Sequence, residues 1–299
     1  MDTARLTLLA SLMVLISGTV WGFYWLPVRA IETLGLGGAW GSVAIVGAGV
    51  LVLAPLAWRG RAAFRGADLA GLAAIAVGGF AFLLYSVSFL YGQVAVVVIL
   101  FFLTPVWSTL LCRIFLGWPI TRMRIAVLVC GLAGLAVMLG ADGLLPVPRS
   151  LGEWLGLASG FLWSVASIGI RVRPTPPPAQ GAFVFAAGGF VGGLVLAPFV
   201  APLPSFAEFT APLHLAVLVI FTGGFWWALF MAVLMWATPK LDPARTGILL
   251  MIEVLVAAVS ATLIIGEHLS VIELIGGGLV LLAGLLEVWP PPRRRPQKT

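Results

Sequence analysis

The chain has 299 residues, of which 61% are hydrophobic and only 9% charged, and its mean hydropathy is +1.13. A soluble domain is roughly 45–50% apolar and about 25% charged, so the composition excludes a water-soluble globular protein and points to an integral membrane protein. A net charge of +6 rests on 17 Lys and Arg against 11 Asp and Glu.

A membrane-crossing helix needs about 20 mostly apolar residues. Ten such runs follow in chain order: 6–27, 38–57, 69–90, 94–112, 124–141, 152–170, 181–200, 213–236, 245–265 and 271–289. The first has one Arg before it, is too long for a signal peptide and ends in WLPVR (Trp25–Arg29), with no small-residue cleavage site, so it reads as a retained span. Polar or Pro-rich breaks fall at 58–68, 117–124, 143–150, 171–178 and 238–245, and the shortest break is YGQ (Tyr91–Gln93). Cys112 and Cys130 lie in apolar runs and read as small buried hydrophobes.

Charge tests this count, because Lys and Arg of short loops accumulate on the cytoplasmic side. With ten spans, 15 of the 17 basic residues fall on one side, and only Arg29 and Arg149 fall on the other. The basic side carries both termini, which are therefore expected in the cytoplasm of a cell whose inner membrane holds the protein. The pI near 10.1 reports this asymmetry and not nucleic-acid binding. The tail at 291–299 reads as a disordered topology anchor.

The spans echo one another. SGTVWG (Ser17–Gly22) in span one returns as SGFLWS (Ser159–Ser164) in span six, LVLAP at Leu51 returns at Leu194, and GGF at Gly78 returns at Gly223. Ala95, Leu100 and Gly117 match Ala244, Leu249 and Gly266, and LAGL at Leu132 returns at Leu282. The offset grows in order through 142, 143, 145, 149 and 150, as small loop insertions would make it. Two related halves, 1–145 and 150–290, thus carry five spans each, and an odd number forces the second to be inserted upside down. The predicted fold is all-α: ten transmembrane helices in two inverted-topology five-helix repeats. Such repeats characterise secondary transporters working by alternating access, with a substrate site between the halves near mid-membrane. A duplicated scaffold without transport is the alternative.

The WG ending of span one, the duplicated five-span halves and LLMIEVLVAAVSATLIIGEHLS (Leu249–Ser270) resemble the drug/metabolite transporter superfamily, in its EamA-type branch. Many members of that branch carry Pro just after the span-nine Glu, where this chain has Val254. The first half has Thr104-Pro105 at the corresponding place and Trp118 where the second has Glu267. The resemblance implies export of small metabolites, and its likeness to the bacterial aromatic amino-acid exporters of that superfamily points to aromatic or other neutral amino acids.

Glu253 is the one ionisable side chain near the middle of a span. A carboxyl at that depth is costly and faces the bundle interior. It reads as a proton-linked or amine-binding group, or as a structural carboxyl bonded to neighbouring helices. Thr246, Glu253, Ala257 and Ser260 share one helical face, and Val97, Thr104, Ser108 and Leu111 are its counterpart in the first half, with Gln93 on the same face. Ser17, Trp21 and Tyr24 share a face of span one, beside a close-packing face of Gly18 and Gly22. Span six repeats both faces through Ser159, Trp163 and Ala166, and through Gly160 and Ser164. The predicted substrate cavity is therefore Trp21, Tyr24, Tyr85, Ser88, Gln93, Thr104, Ser108, Trp163, Glu253 and Ser260. For each Trp the alternative is an interfacial anchor, which suits Trp40, Trp58, Trp118 and Trp289.

No phosphate-binding Gly-Lys loop, catalytic nucleophile or paired His stands in the sequence, so no cofactor, metal or enzymatic activity is expected. The expected partners are a small-molecule substrate and the lipid bilayer, with the chain a monomer or a homodimer. Efflux of lipophilic cationic drugs, for which one acid and many aromatic rings suffice, is the second function class.

Overall fold

The computed structural model describes residues 3–141, 143, 147–237, 240–241 and 249–288, and regular structure among them is entirely helical. Ala244, Thr246, Trp289 and the basic tail lie outside the described residues. Uncharged apolar runs form helices because each backbone N–H and C=O must find its partner within its own segment. The elements are α1 (Thr3–Gly22), α2 (Trp25–Thr33), α3 (Ala39–Arg59), α4 (Leu69–Tyr91), α5 (Val94–Phe101), α6 (Thr104–Leu116), α7 (Arg122–Leu139), α8 (Leu151–Val172) and α9 (Pro178–Val200). There follow α10 (Pro212–Ile220), a π-helical turn (Phe221–Trp227), α11 (Ala228–Ala237), α12 (Ile252–Ile265) and α13 (Val271–Val288).

Among the described residues seven helices are long and apolar enough to cross a membrane, counting α1 with α2 and α5 with α6 as single interrupted spans. They stand where the first seven spans are predicted. Three shorter apolar helices, Pro212–Trp227, Ile252–Ile265 and Val271–Leu286, stand in the last three places. Helix length alone therefore does not give ten crossings.

Span one runs past its predicted end at residue 27 because an interruption there does not stop it. Pro27 has no N–H for the Phe23 carbonyl and crowds that position. The Leu26 N–H bonds Phe23 instead, at 3.0 Å, and the helix resumes to Thr33. Pro105 does the same to Phe101, whose carbonyl accepts from the Thr104 hydroxyl at 2.7 Å. In the second half the chain turns at Met251 with no proline, since Val254 stands there, and the Val254 N–H bonds the Met251 carbonyl at 3.2 Å. α6 and α12 also end alike. Gly117 and Gly266 take left-handed φ of 64° and 69°, which glycine adopts without steric cost. The Trp118 N–H then bonds the Cys112 carbonyl at 3.2 Å, and the Glu267 N–H bonds that of Ala261 at 3.3 Å.

Small residues set the packing. α1 lies on α12 through Gly18, where an added Cβ would sit 2.7 Å from Ile252, and Gly22, where it would sit 2.9 Å from the Glu253 carbonyl. α8 lies on α5 and α6 in the same manner, with Gly160 against the Phe101 backbone and the Ser164 hydroxyl donating to the Thr104 carbonyl at 3.1 Å. α3 pairs with α9, α4 with α8 and α9, and α7 with α13. At the crossing of α4 and α9, a Cβ on Gly79 would strike the Phe185 carbonyl. Gly79→Val is accordingly expected to cost more than the usual 1–3 kcal/mol of overpacking, because backbone cannot yield as a side chain does. Monodisperse protein recovered in detergent at wild-type yield would show the crossing to be loose.

The connections alternate between two ends. The Trp40 indole bonds the Ala201 carbonyl at 3.1 Å and the Thr210 N–H bonds that of Leu34 at 3.3 Å, tying segments 34–40 and 201–210 together at one end. Gly60 meets Gln180, and Gly71 meets the Pro174 carbonyl, at the other. Large apolar side chains such as Leu51, Phe199 and Leu263 cover the exterior, a surface suited to lipid and not to water.

Candidate substrate site

A continuous set of aromatic rings joins six helical segments. From the first break, Tyr24 lies 5.2 Å from Trp21 of α1, which meets Phe82 of α4 edge-on at 5.5 Å. Phe82 lies 6.2 Å from Phe185 of α9. Phe185 stacks on Trp227 of the π-helical turn at 5.8 Å and meets Trp163 of α8 edge-on at 6.0 Å. Trp163 leads on to Phe101 of α5 at 6.3 Å, and Phe101 to Tyr85 of α4 at 4.6 Å. Tyr85 and Phe82 are one helical turn apart, so the rings nearly close a circuit.

At its edge stands Glu253. The break at Met251 puts this residue in the first turn of α12, where the helix dipole favours a carboxylate. The Tyr85 hydroxyl donates to Glu253 Oε1 at 2.9 Å. Beside the rings, the hydroxyls of Tyr24 and Ser86 lie 3.3 Å apart and those of Ser86 and Ser42 2.7 Å apart. Among the described residues the buried indole nitrogens of Trp21 and Trp227, and the buried hydroxyls of Ser17 and Thr222, have no hydrogen-bond partner. A buried donor left unpaired costs about 1–3 kcal/mol, so these groups are suited to an acceptor brought by a ligand.

Trp21, Tyr24, Tyr85, Trp163 and Glu253 thus come together. The others of the predicted set do not all join them. Ser88 is buried but donates to the Tyr85 carbonyl, and the Thr104 hydroxyl is committed to Phe101. Ser260 accepts from the Trp25 indole at 3.0 Å. Ser108 faces a separate cavity between α6, α7 and α8. Gln93 is exposed at the N-cap of α5 and makes no capping bond with its side chain, away from the rings. Phe82, Phe101, Phe185 and Trp227 were not singled out from the sequence. A signal for two of them was present: Phe82 and Trp227 each stand two residues past a GGF, 145 residues apart.

A second polar cluster closes the end where segments 34–40 and 201–210 meet. Arg29 of α2 donates to the Phe89 carbonyl at 2.8 Å, the Gly92 carbonyl at 3.1 Å and Glu267 Oε1 at 2.9 Å. Glu267 Oε2 accepts the Val94 N–H at 2.8 Å, and the Arg29 guanidinium lies 5.4 Å over the Trp25 ring. One guanidinium and one carboxylate thereby tie α2, the turn between α4 and α5, and the exit of α12. No group of three His, Cys, Asp or Glu among the described residues is placed to hold a metal.

Residues 8–140, from within α1 to just past the end of α7, match the model of the EamA-like transporter family. No curated protein matches the chain. A solved crystal structure described only as that of a "protein" is similar over 93% of this chain and 96% of that one, with 16% sequence identity and a TM-score of 0.54. That likeness is one of fold.

Proposed function

We propose that the chain is a secondary transporter, not an enzyme, that exports small metabolites, with aromatic or other neutral amino acids as the best-fitting class. The observation that carries this reading is the Tyr85–Glu253 pair at the edge of a ring circuit drawn from helices of both halves. A carboxylate beside aromatic faces suits an ammonium group. The unpartnered indole N–H groups of Trp21 and Trp227 suit a carboxylate. A zwitterion with an apolar or aromatic side chain offers all three features. Efflux of lipophilic cations is the second reading, favoured by Glu253 but leaving the indole donors without an acceptor.

The architecture proposed for this activity is two inverted five-helix repeats, 1–145 and 150–290, alternating around the rings. The matched breaks at Phe102 and Met251 and the matched left-handed glycines at 117 and 266 support it. So does the pairing of α1 with α12 and of α8 with α5 and α6. The protein works in the inner membrane, as a monomer or a homodimer, with both termini in the cytoplasm. A reporter fused after Thr299 is then expected on the cytoplasmic side and one inserted at Pro204 on the opposite side. Finding both on the same side would end the ten-span arrangement.

Liposomes containing the purified protein test the substrate class. Preloaded phenylalanine is expected to leave faster than leucine, and both faster than tetraphenylphosphonium. Rapid loss of the quaternary cation with retention of both amino acids would replace the first reading by the second.

A further inference from the structure

Between α6, the start of α7 and the end of α8 lies a cavity of about 100 Å³ that the aromatic site does not use. Its wall includes Ser108, Thr109, Ser167, Trp118, Arg124 and Arg171. No carboxylate lines it. The one ion pair found among the described residues, Arg29 with Glu267, belongs to other helices, so both guanidiniums are available. Arg124 lies in the first turn of α7, where the helix dipole adds to the positive potential. Thr109 is 2% exposed, and its hydroxyl has no partner among the described residues. Water takes about 30 Å³ per molecule, so the space admits a few waters or one tetrahedral oxyanion.

We propose that this cavity binds the phosphate of an anionic lipid headgroup. Guanidinium forks match phosphate oxygens in geometry and charge, and Thr109, whose buried hydroxyl has no partner among the described residues, stands in the wall of the same space. Basic pockets between transmembrane helices at the cytoplasmic surface suit such headgroups, and this one lies among the arginine-rich loops. The surroundings favour a lipid over a free ion. Trp118 and Val172, both in the wall of the cavity, are exposed, giving an acyl chain an apolar surface beside the charged side chains. Trp118 stacks under Arg124, 6.0 Å from its guanidinium, at the level where indoles meet headgroups. The inference rests on the cytoplasmic placement of these loops given under the proposed function and is independent of what the protein transports.

The full-length protein in neutral detergent is to be titrated with phosphatidylglycerol, with phosphatidylcholine, and with inorganic phosphate at constant ionic strength. Native mass spectra and thermal unfolding are the readouts. Phosphatidylglycerol is expected to stay bound and raise Tm, and phosphatidylcholine to do neither. Loss of charged hydrogen bonds in the double variant Arg124→Gln/Arg171→Gln should weaken phosphatidylglycerol about tenfold or more. Thr109→Val, nearly the same shape, should weaken it less, and Arg113→Gln, outside the cavity, should leave it unchanged. If the double variant does not fold, Thr109→Val and the exposed Arg171→Gln decide between the same outcomes. Inorganic phosphate reproducing the whole effect would retain the phosphate chemistry and overturn the lipid as its source. Equal response to the two lipids, only water in the cavity, or an unchanged affinity in the variants would overturn the proposal.

Discussion

With the proposed amino-acid substrate, Glu253→Gln is expected to raise the KM roughly tenfold or more while leaving a folded protein of wild-type yield. The magnitude follows from removing a charged hydrogen bond to an ammonium, worth about 1.5–3 kcal/mol. Gln keeps the shape and still accepts from Tyr85, whose hydroxyl lies 2.9 Å from Glu253 Oε1, so the local fold retains its tie. Tyr85→Phe should act in the same direction but more weakly, since it frees the carboxylate without discharging it. A KM unchanged in both variants would make Glu253 a structural carboxyl. The same liposomes settle whether a proton travels with the substrate. An imposed pH gradient that drives wild-type efflux but not that of Glu253→Gln assigns the proton to this residue. A wild type indifferent to the gradient is a facilitator. The lone acid has no fixed counter-charge in its hydrogen bonds, and an exporter of an abundant metabolite can run down the gradient of its cargo, so indifference is the expected result.

Removing Arg29 is expected to loosen the end of the molecule where α2, α4, α5 and the exit of α12 meet. Three hydrogen bonds and the contact with Trp25 are lost at once, and Glu267 keeps only its bond from Val94. Breaking a fully buried pair costs about 3–5 kcal/mol. Side-chain exposures of 27% and 18% for Arg29 and Glu267 bring the expectation nearer 2 kcal/mol. Arg29→Gln should therefore lower Tm in detergent by several degrees and make a cysteine placed at Gly92 more accessible to thiol reagents. The exchange Arg29→Glu/Glu267→Arg is expected not to rescue either effect. A carboxylate cannot donate to the Phe89 and Gly92 carbonyls, and a guanidinium cannot accept from Val94. Full rescue would mean that charge attraction alone holds this end.

The first seven spans were legible because long apolar helices announce themselves by length and hydropathy, whereas the last three places hold shorter apolar helices among the described residues. The interruptions were less so. Pro27 and Pro105 explain two after the fact, but Met251 turns without a proline, and no local rule marks it. The carboxyl of Glu253 stood out because a charge in apolar text is costly wherever it falls. Its ring partners did not. Helices that are apolar nearly all round have no pronounced face, and helical spacing says which residues share a side, not which neighbour they meet. Phe185 has no ring at its counterpart, Ser42, so even the repeat could not have found it. Gln93 misled for the same reason: it shares a face with Thr104 on an ideal helix, yet stands exposed at the N-cap position of α5, where the backbone is extended.

The π-helical turn at Phe221–Trp227 bears on energetic balance. Its GGF counterpart in α4 runs as ordinary α-helix. Two interchangeable halves would trade roles without preference, and the states open to either face of the membrane would be equally populated. On the proposed alternation of two repeats, a wider turn in one half alone removes that equality and biases the resting state. Deleting one residue from the turn, so that span eight regains α-helical pitch, should change the ratio of labelling at the two mouths even though no group contacting cargo has been altered.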